Sequence, residues 1–351
     1  MRPLLVVLAG SHARLSAALA EALVGVPHER AVVGPGPVPC LQKRRVLFAL
    51  SVGECGLDGD ICKLIVHLRQ HTEAMEGSYG ALVVDGEGEL YTKQLAHMLV
   101  FCANRAGCSF PGKPLVEGTG SLANLRVQAR RMGTDVEVAY RAGVRDLVRR
   151  LVSFEPARYA RPQVLMLHAS DKQTSNTLDL GAAVCAHLAP YCQIQELSLQ
   201  NGAVMDCRGC SYKTCAHFAK TNACFYGGAI VEDVFPALLA ANTLLLLCPN
   251  YNDSVSANIM AFINRLTALL VNNNFYDKYL YAVVVSGYSG GDLVAQQALG
   301  ALCLNKTFML PPRFCLFQTA NNPGEALRAP GIQERAAAFA QGMLSAVYAK
   351  A

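Results

Sequence analysis

Strand-length apolar runs recur through the second half of the chain and alternate with segments of helical periodicity. The runs "QVLMLHA", "NTLLLLCPN" and "YLYAVVVSG" are apolar on both faces, and "CQIQELSL" and "RFCLFQTA" bring the predicted strands to five. A strand that is apolar on both faces has to be covered on both sides, which is typical of a parallel sheet between two layers of helices. The pattern therefore predicts an α/β fold with a five-stranded parallel sheet.

The first half of the chain repeats this pattern in weaker form. Its predicted strands begin "RPLLVVLAGS", "RRVLFALSV", "YGALVVDGEGEL" and "GKPLVEGTG". Aligned by pattern, "YGALVVDG" falls on "NTLLLLCPN" and "GKPLVEGTG" falls on "YLYAVVVSG", which favours an internal duplication, with two unrelated α/β domains as the alternative. Prolines and charges interrupt the apolar pattern in "FEPARYARPQ". We therefore expect two three-layer domains with parallel five-stranded sheets, residues 1–155 and 156–351.

The composition of the chain argues against two classes of function, nucleic-acid binding and membrane spanning. Hydrophobic residues make up 52% of the chain and charged residues 16%, and the net charge of +5 is spread thinly. No run of lysine and arginine interleaves with aromatic residues, so we expect no nucleic-acid binding. The longest apolar run contains Asn242 and is closed by prolines, so we expect no membrane span. Many of the 14 cysteines lie inside apolar runs, where cysteine packs as a small hydrophobe, which predicts a reducing, cytoplasmic location.

Polar loops follow three of the predicted strands in the second half: "HASDKQTSNT", "CPNYNDSVSAN" and "SGYSGGD". In an open parallel sheet, ligands bind beyond the carboxyl ends of the strands, where such loops lie. The first loop runs into a helix N-terminus, which favours an anion, and its candidate phosphate ligands are Ser170, Lys172, Ser175, Asn176 and Thr177. Simple capping of the helix by Ser175 or Asn176 is the alternative. The loop has neither a Rossmann glycine fingerprint nor a Walker P-loop.

The other two loops carry residues that suit contact with a planar ring. Tyr251 is flanked by amides, and Tyr288 lies among small residues that let a planar ring approach the backbone. A phosphate site beside polar and aromatic walls suits a flavin mononucleotide (FMN). No Ser–His–Asp or HExxH arrangement indicates hydrolysis. His168, at the end of the strand before the first loop, is expected to be a packed loop histidine, with a place in the lining of the pocket as the alternative.

Three segments now resemble a known family in the order in which they occur. "HASDKQTSNT", "CRGCSYKTCAHFAKTNACFYGG" and "CPNYNDSVSANIMAFINR" are similar to parts of the flavodoxin-like NAD(P)H-dependent FMN reductases, including their iron–sulfur flavoprotein branch. The similar parts are the phosphate loop, the cysteine-rich insertion and the segment after the third strand. The resemblance covers residues 160–350 approximately, and the family's Gly-Ser-Pro-Arg is Ala-Ser-Asp-Lys here.

The resemblance implies an FMN-dependent oxidoreductase that takes electrons from NAD(P)H and needs no protein acid or base for catalysis. The acceptor would be a small molecule or a protein, and we expect a homo-oligomer. The alternative is an accessory flavoprotein that passes electrons to a partner reductase. The implied FMN ligands are Ser170, Lys172, Ser175, Asn176, Thr177, Pro249, Asn250, Tyr251, Asn252, Asp253, Ser254, Ser286, Gly287, Tyr288, Ser289 and Gly290.

The first half lacks the phosphate signature. Its "GSHARLSAAL" keeps Gly10 and Ser11 but has no Ser-Asn-Thr, and its acidic loop "DGEGE" would repel a phosphorylated cofactor. We therefore predict a degenerate flavodoxin-like domain without cofactor, which packs on the active domain, builds the dimer or covers the flavin. Asp85, Glu87 and Glu89 are expected to form a solvated acidic loop rather than a cation site.

Cys207, Cys210, Cys215 and Cys224 lie in a predicted insertion, residues 205–228, after the second strand of the second half. Thiolates that converge from a compact loop are typical of iron–sulfur clusters, so these four residues are the candidate ligands of a 4Fe–4S cluster. Zinc, with His217 as a further ligand, and thiols without metal remain the alternatives. We expect this insertion to lie at the edge of the sheet where the flavin ring binds.

Overall fold

The computed structural model describes residues 3–10, 12–171, 173–199 and 204–349. The chain forms two compact units, Met1–Glu155 (unit 1) and Pro156–Ala351 (unit 2), and each has its own sheet. Within the described ranges, no helix is both long and apolar enough to cross a membrane.

Unit 1 is built on a parallel sheet. Its strands are β1 (Leu4–Ala9), β2 (His28–Val32), β3 (Arg45–Val52), β4 (Ser78–Gly86), β5 (Cys108–Ser109) and β6 (Leu115–Gly118). Its α-helices are α1 (Ala13–Ala22), α2 (Gly59–Gln70), α3 (Thr92–Arg105), α4 (Arg126–Met132) and α5 (Val136–Val152). The strand order is β2-β1-β3-β4, and the fifth position, next to β4, is shared by β5 and β6, which pair with different parts of β4.

Unit 2 has a second parallel sheet. Its strands are β7 (Gln163–His168), β8 (Gln193–Ser198), β9 (Thr243–Pro249), β10 (Tyr279–Ser286) and β11 (Cys315–Thr319). Its α-helices are α6 (Asn176–Leu188), α7 (Tyr212–Ala219), α8 (Phe235–Ala240), α9 (Ala257–Arg265), α10 (Thr267–Leu270), α11 (Gly291–Leu299), α12 (Glu325–Arg328) and α13 (Ile332–Val347). The strand order is β11-β10-β9-β7-β8.

Both sheets have the strand order of flavodoxin-like folds, in which the first strand lies between the second and the third. The predicted fold class is therefore confirmed, as two parallel α/β sheets. The predicted strand count holds for unit 2, whereas the sheet of unit 1 has six strands instead of five.

One strand of unit 1 was not predicted from the sequence, and its presence changes which strands of the two halves correspond. Strand β2 has the sequence "HERAV" and is largely exposed at the sheet edge, so it lacks the apolar run that marks the other strands. Because β2 is second, "RRVLFALSV" forms the third strand and "YGALVVDG" the fourth. The predicted match of "YGALVVDG" to "NTLLLLCPN" is therefore wrong by one strand, and its counterpart in unit 2 is β10.

The central strands of both sheets are buried on both faces, as their apolar runs predict. Every residue of β3 and every residue of β10 is buried, and Leu244 to Cys248 of β9 are at most 1% exposed. The segment "SANIMAFINRLTALLV" is divided at Leu266 into α9 and α10. Thr267 donates its hydroxyl to the Asn264 carbonyl there, a side-chain contact of the kind that bends helices.

Leu245, fully buried in the middle strand β9, gives a stability test of this arrangement. We expect Leu245→Ala to lower the free energy of unfolding by about 2–5 kcal/mol, because it removes buried methyl groups and leaves a cavity. Leu293→Ala on the half-exposed face of α11 is the control and should cost less than about 0.5 kcal/mol. Urea denaturation followed by circular dichroism measures both, and equal losses would contradict the central place of β9.

Candidate functional site

A cavity of about 500 Å³ opens at the carboxyl edge of the unit 2 sheet, within the size range of small-molecule and cofactor sites. The loops after β7, β9, β10 and β11 line it. Its lining residues are Asp171, Thr174, Ser175, Asn176, Thr177, Pro249, Asn250, Tyr251, Asn252, Asp253, Val285, Gly287, Tyr288, Ser289, Ala320 and Asn321.

The loop between β7 and α6 brings the N-terminus of α6 to this cavity. Ser175 caps the helix, since its hydroxyl accepts a hydrogen bond from Leu178 N at 3.2 Å. Asn176 points to the loop after β11: its amide donates to Asn322 O at 2.8 Å, and its oxygen accepts from Ala326 N at 3.0 Å. Both side chains thus form hydrogen bonds within the protein, and the N–H groups of Asn176 and Thr177 at the start of α6 are the candidate donors to an anion.

The loop after β9 is a rigid turn. Tyr251 and Ser254 exchange backbone hydrogen bonds of 3.2 and 3.1 Å, and Asn252 and Asp253 between them both have left-handed backbones, as in a type I′ turn. Gln297 of α11 holds the end of the turn, because its side-chain oxygen accepts from Val255 N at 2.8 Å. The turn presents the Tyr251 ring, which is 57% exposed, at the cavity.

The loop after β10 packs against this turn. Asn250 donates from its amide to Ser289 O at 2.8 Å and so joins the two loops. Gly290 has a φ of +81°, and a Cβ there would lie 1.7 Å from an Asp253 carboxylate oxygen, so the close approach requires glycine. Tyr288 extends from this loop and is 87% exposed.

The loop after β11 forms a fourth wall, which the sequence did not predict. Its Ala320 and Asn321 line the cavity, and the Asn321 amide donates to Gly287 O at 3.0 Å. Glu325 accepts from the N–H groups of Asn322 and Asn321 at 2.8 and 2.7 Å, and these bonds lower the pKa of Glu325. The amides in "TANNPGE", directly after the last strand, are the signal that could have predicted this wall.

The predicted FMN ligands divide into two groups. Most line the cavity, whereas Ser170, Ser254, Ser286 and Gly290 lie beside it, and Lys172 lies outside the described residues. Asp171, Thr174 and Val285 also line the cavity without having been predicted as ligands. The Asp171 carboxylate accepts from Gln173 N at 2.8 Å, so this charge is held in a local turn.

Buried polar atoms around the cavity fit a polar cofactor. Ser170 Oγ, Asn250 Oδ1 and Ser286 Oγ are buried and have no hydrogen-bond partner among the described residues. A buried acceptor without a partner is costly, so Asn250 Oδ1, the one of these atoms that belongs to a lining residue, suits a ligand that donates a hydrogen bond to it. With the helix N-terminus and the two tyrosines, it fits a phosphate beside a planar ring, as in FMN.

The same edge of unit 1 is filled by a side chain. Arg14, in the first turn of α1, reaches the fully buried Asp85 with Nε–Oδ2 and Nη2–Oδ1 distances of 2.9 and 3.1 Å. It also donates to the carbonyls of Gly86, Thr119 and Gly120 at 2.9 to 3.2 Å. The prediction that Asp85 belongs to a solvated acidic loop is wrong, because Asp85 is the penultimate residue of β4 and pairs with Arg14. Glu87 and Glu89 are exposed, as predicted.

By strand order, the positions of Arg14 and Asp85 in unit 1 correspond to positions that line the cavity of unit 2. Arg14 is the second residue of α1, as Thr177 is of α6, and the strands that carry Asp85 and Val285 are the fourth of each unit. In unit 2 these positions and the loop after the last strand line the cavity. In unit 1 a guanidinium and its acceptors occupy the corresponding place.

The four cysteines of the predicted insertion do not support the predicted 4Fe–4S cluster. Among the described residues, no group of three or more His, Cys, Asp or Glu side chains is placed to hold a metal ion. Burial, and then the neighbouring thiols of Cys210, Cys224 and Cys207, raise the pKa of Cys215.

The insertion also lies differently from the prediction. Cys210, Cys215 and Cys224 line a small cavity together with Phe218 and with Ala268 of α10, and none of the four cysteines lines the cavity at the strand ends. The turn that borders the larger cavity directly precedes α9, whereas α10 follows the other end of that helix. Arg265, in the last turn of α9, donates hydrogen bonds to Met205 O and Gly227 O. These two bonds hold both ends of the insertion at the C-terminal end of α9.

Residues 162–322 match the family model described as NADPH-dependent FMN reductase. The match is less than half of the chain, lies within unit 2 and runs from the start of β7 to the loop after β11, so it includes all four loops of the cavity. The family predicted from the sequence is thereby confirmed for this segment.

Several solved structures are similar to this chain. An azoreductase from Bacillus anthracis str. Sterne has 14% identity and a TM-score of 0.39, with 51% of this chain and 98% of that chain covered. An NAD(P)H:quinone oxidoreductase from Methanothermobacter marburgensis has 12% identity and a TM-score of 0.40, with 54% and 100% covered. A putative quinone reductase from Klebsiella pneumoniae has 17% identity and a TM-score of 0.37, with 52% and 83% covered. A search of curated protein sequences finds no match.

The Arg14–Asp85 pair is tested by removing its cation. We expect Arg14→Met to lower the free energy of unfolding by about 3–5 kcal/mol, because the buried Asp85 carboxylate loses its main counter-charge. Adding Asp85→Asn should recover part of this loss, since the buried charge is then gone. Arg30→Met, on the exposed edge strand β2, is the control in urea denaturation, and a loss as small as the control's would contradict the role of Arg14.

Proposed function

We propose that this protein, whose residues 162–322 match the NADPH-dependent FMN reductase family, binds FMN in the cavity of unit 2 and uses it to oxidise NAD(P)H. The observation that carries the proposal is the convergence on one cavity of a helix N-terminus, two exposed tyrosines and the buried Asn250 Oδ1, which has no partner among the described residues. FMN, when bound, supplies the hydride and electron transfer chemistry that side chains lack.

In this proposal the protein binds and orients. The N–H groups at the start of α6 and the Thr177 hydroxyl hold the phosphate, because the helix dipole and the donors favour an anion there. The loops after β9 and β10 hold the ring, and the bonds of Asn250 and Gln297 keep their shape. No side chain has to act as an acid or base.

A small molecule is the proposed electron acceptor. Tyr251 and Tyr288 stand exposed at the cavity, so a planar substrate can reach its mouth and stack on an aromatic ring. The accessory role, with the cysteines as a relay, has less support, because the thiol cavity and the larger cavity share no lining residue. A homo-oligomer and a cytoplasmic location complete the proposal.

Unit 1 is, in this proposal, a degenerate flavodoxin-like domain without a cofactor. The Arg14 guanidinium lies where unit 2 has its cavity, and it uses the carbonyls of the neighbouring loops as acceptors. A phosphate at this place would have to displace Arg14 from Asp85 and leave a buried carboxylate beside an anion, which is unfavourable.

FMN binding and reduction test the function directly. Added FMN should bind with quenching of flavin fluorescence, and NADPH or NADH should bleach the bound flavin under anaerobic conditions. We expect Thr177→Val to weaken FMN binding about tenfold, because a donor to a charged phosphate is lost, with riboflavin binding unchanged. Thr134→Val, at an exposed position of unit 1, is the matched control. A wild-type protein that binds no FMN would contradict the proposal.

The number of bound flavins tests the assignment of the two units. We expect one FMN per chain, since unit 2 presents the cavity at its strand ends, while Arg14 fills the corresponding place in the described part of unit 1. Calorimetric titration, with flavin absorbance after gel filtration as a second measurement, gives this ratio. Two flavins per chain would show that unit 1 is not degenerate.

A further inference from the structure

His168 lies beneath the loop that leads into α6, and it is the last residue of β7. Its side chain is fully buried and does not line the cavity. The ring makes two contacts: Nδ1 accepts a hydrogen bond from Ser170 N at 3.2 Å, and Nε2 lies 3.2 Å from Oε1 of Glu196. The parallel register pairs His168 with Ser198, so Glu196, two residues earlier on β8, is on the same face of the sheet.

These two contacts determine the tautomer of the ring. A backbone N–H can only donate, so Nδ1 has to be without a proton in order to accept from Ser170. The neutral ring then carries its proton on Nε2, where it donates to the Glu196 carboxylate. A carboxylate that fixes one nitrogen and thereby makes the other an acceptor is a recurrent arrangement around functional histidines.

The acceptor on Nδ1 holds the first part of the loop in place. Ser170 is 2% exposed, and its own hydroxyl has no hydrogen-bond partner among the described residues. The bond from Ser170 N to His168 spans two residues and turns the chain away from β7 directly at the strand end. The backbone of His168 is also anchored, since its carbonyl accepts from Leu199 N at 2.7 Å.

We propose that His168 is a positioning residue for phosphate recognition, which acts through Ser170 and is oriented by Glu196. The inference rests on the proposed function of the unit 2 cavity. The ring itself does not touch the cofactor. It sets the direction in which Ala169 and Ser170 leave β7, and this direction determines whether the N-terminus of α6 faces the phosphate.

Three variants of the full chain separate this role from simple packing. His168→Leu keeps much of the volume and removes both polar contacts, so we expect FMN affinity to fall about tenfold while riboflavin affinity changes less than twofold, because riboflavin lacks the phosphate. His168→Asn keeps an acceptor near the position of Nδ1 and should recover most of the FMN affinity. His187→Leu, at an exposed position of α6, is the control and should bind both flavins as the wild type does.

Imidazole nitrogen chemical shifts of the flavin-free protein provide a readout that does not depend on FMN. They should show His168 with its proton on Nε2, and a proton on Nδ1 would overturn the inference. Equal losses of FMN and riboflavin affinity in His168→Leu, or no recovery in His168→Asn, would also overturn it and leave the proposed function standing. A wild-type protein that binds neither flavin would overturn both.

Discussion

Buried parallel strands impose the constraint on which the rest of the structure depends. All strands of a unit point the same way, so every strand-to-helix connection leaves the sheet at one edge. Loops that are more than 100 residues apart in the chain, such as those after β7 and β11, therefore meet there. Their amides then bond to one another, as Asn176 does to Asn322, and the cavity acquires rigid walls. The chemistry of a unit is decided by which side chains these connections carry.

The carboxyl edge of the sheet carries different side chains in the two units. They share a strand order, yet one edge encloses a cavity and the other an ion pair. Arg14 places a cation at a helix N-terminus, which the helix dipole disfavours, and the buried Asp85 carboxylate offsets this. Burial raises the pKa of Tyr140, whose ring lies 5.6 Å from the guanidinium, so its hydroxyl remains neutral. An internal charge pair thus satisfies the loop carbonyls of unit 1.

Much of the fold and three of the four loops of the site could be predicted from the sequence. The buried strands were recognisable because continuous apolar runs are a local signal, and three of the four cavity loops follow them directly. Strand β2 was missed because its exposed edge position needs no apolar run. The environment of Asp85 was missed because its partner lies 71 residues away. The insertion was misplaced because its path along α9 depends on contacts such as Arg265 to Gly227, which no spacing of cysteines encodes.

The sequence by itself determined the class of fold, the family that residues 162–322 match and three of the four loops that border the cavity of unit 2, because periodicity and short motifs are local properties of the chain. Only the tertiary structure decided which polar groups form hydrogen bonds within the protein and which are left to bind a ligand. The sequence made Ser170, Ser175 and Asn176 candidate phosphate ligands alike. In the structure, Ser175 and Asn176 form hydrogen bonds within the protein, whereas the hydroxyl of Ser170 has no partner among the described residues. A hydrogen-bonding group has a limited number of partners, and only the packed structure shows which of them it already has.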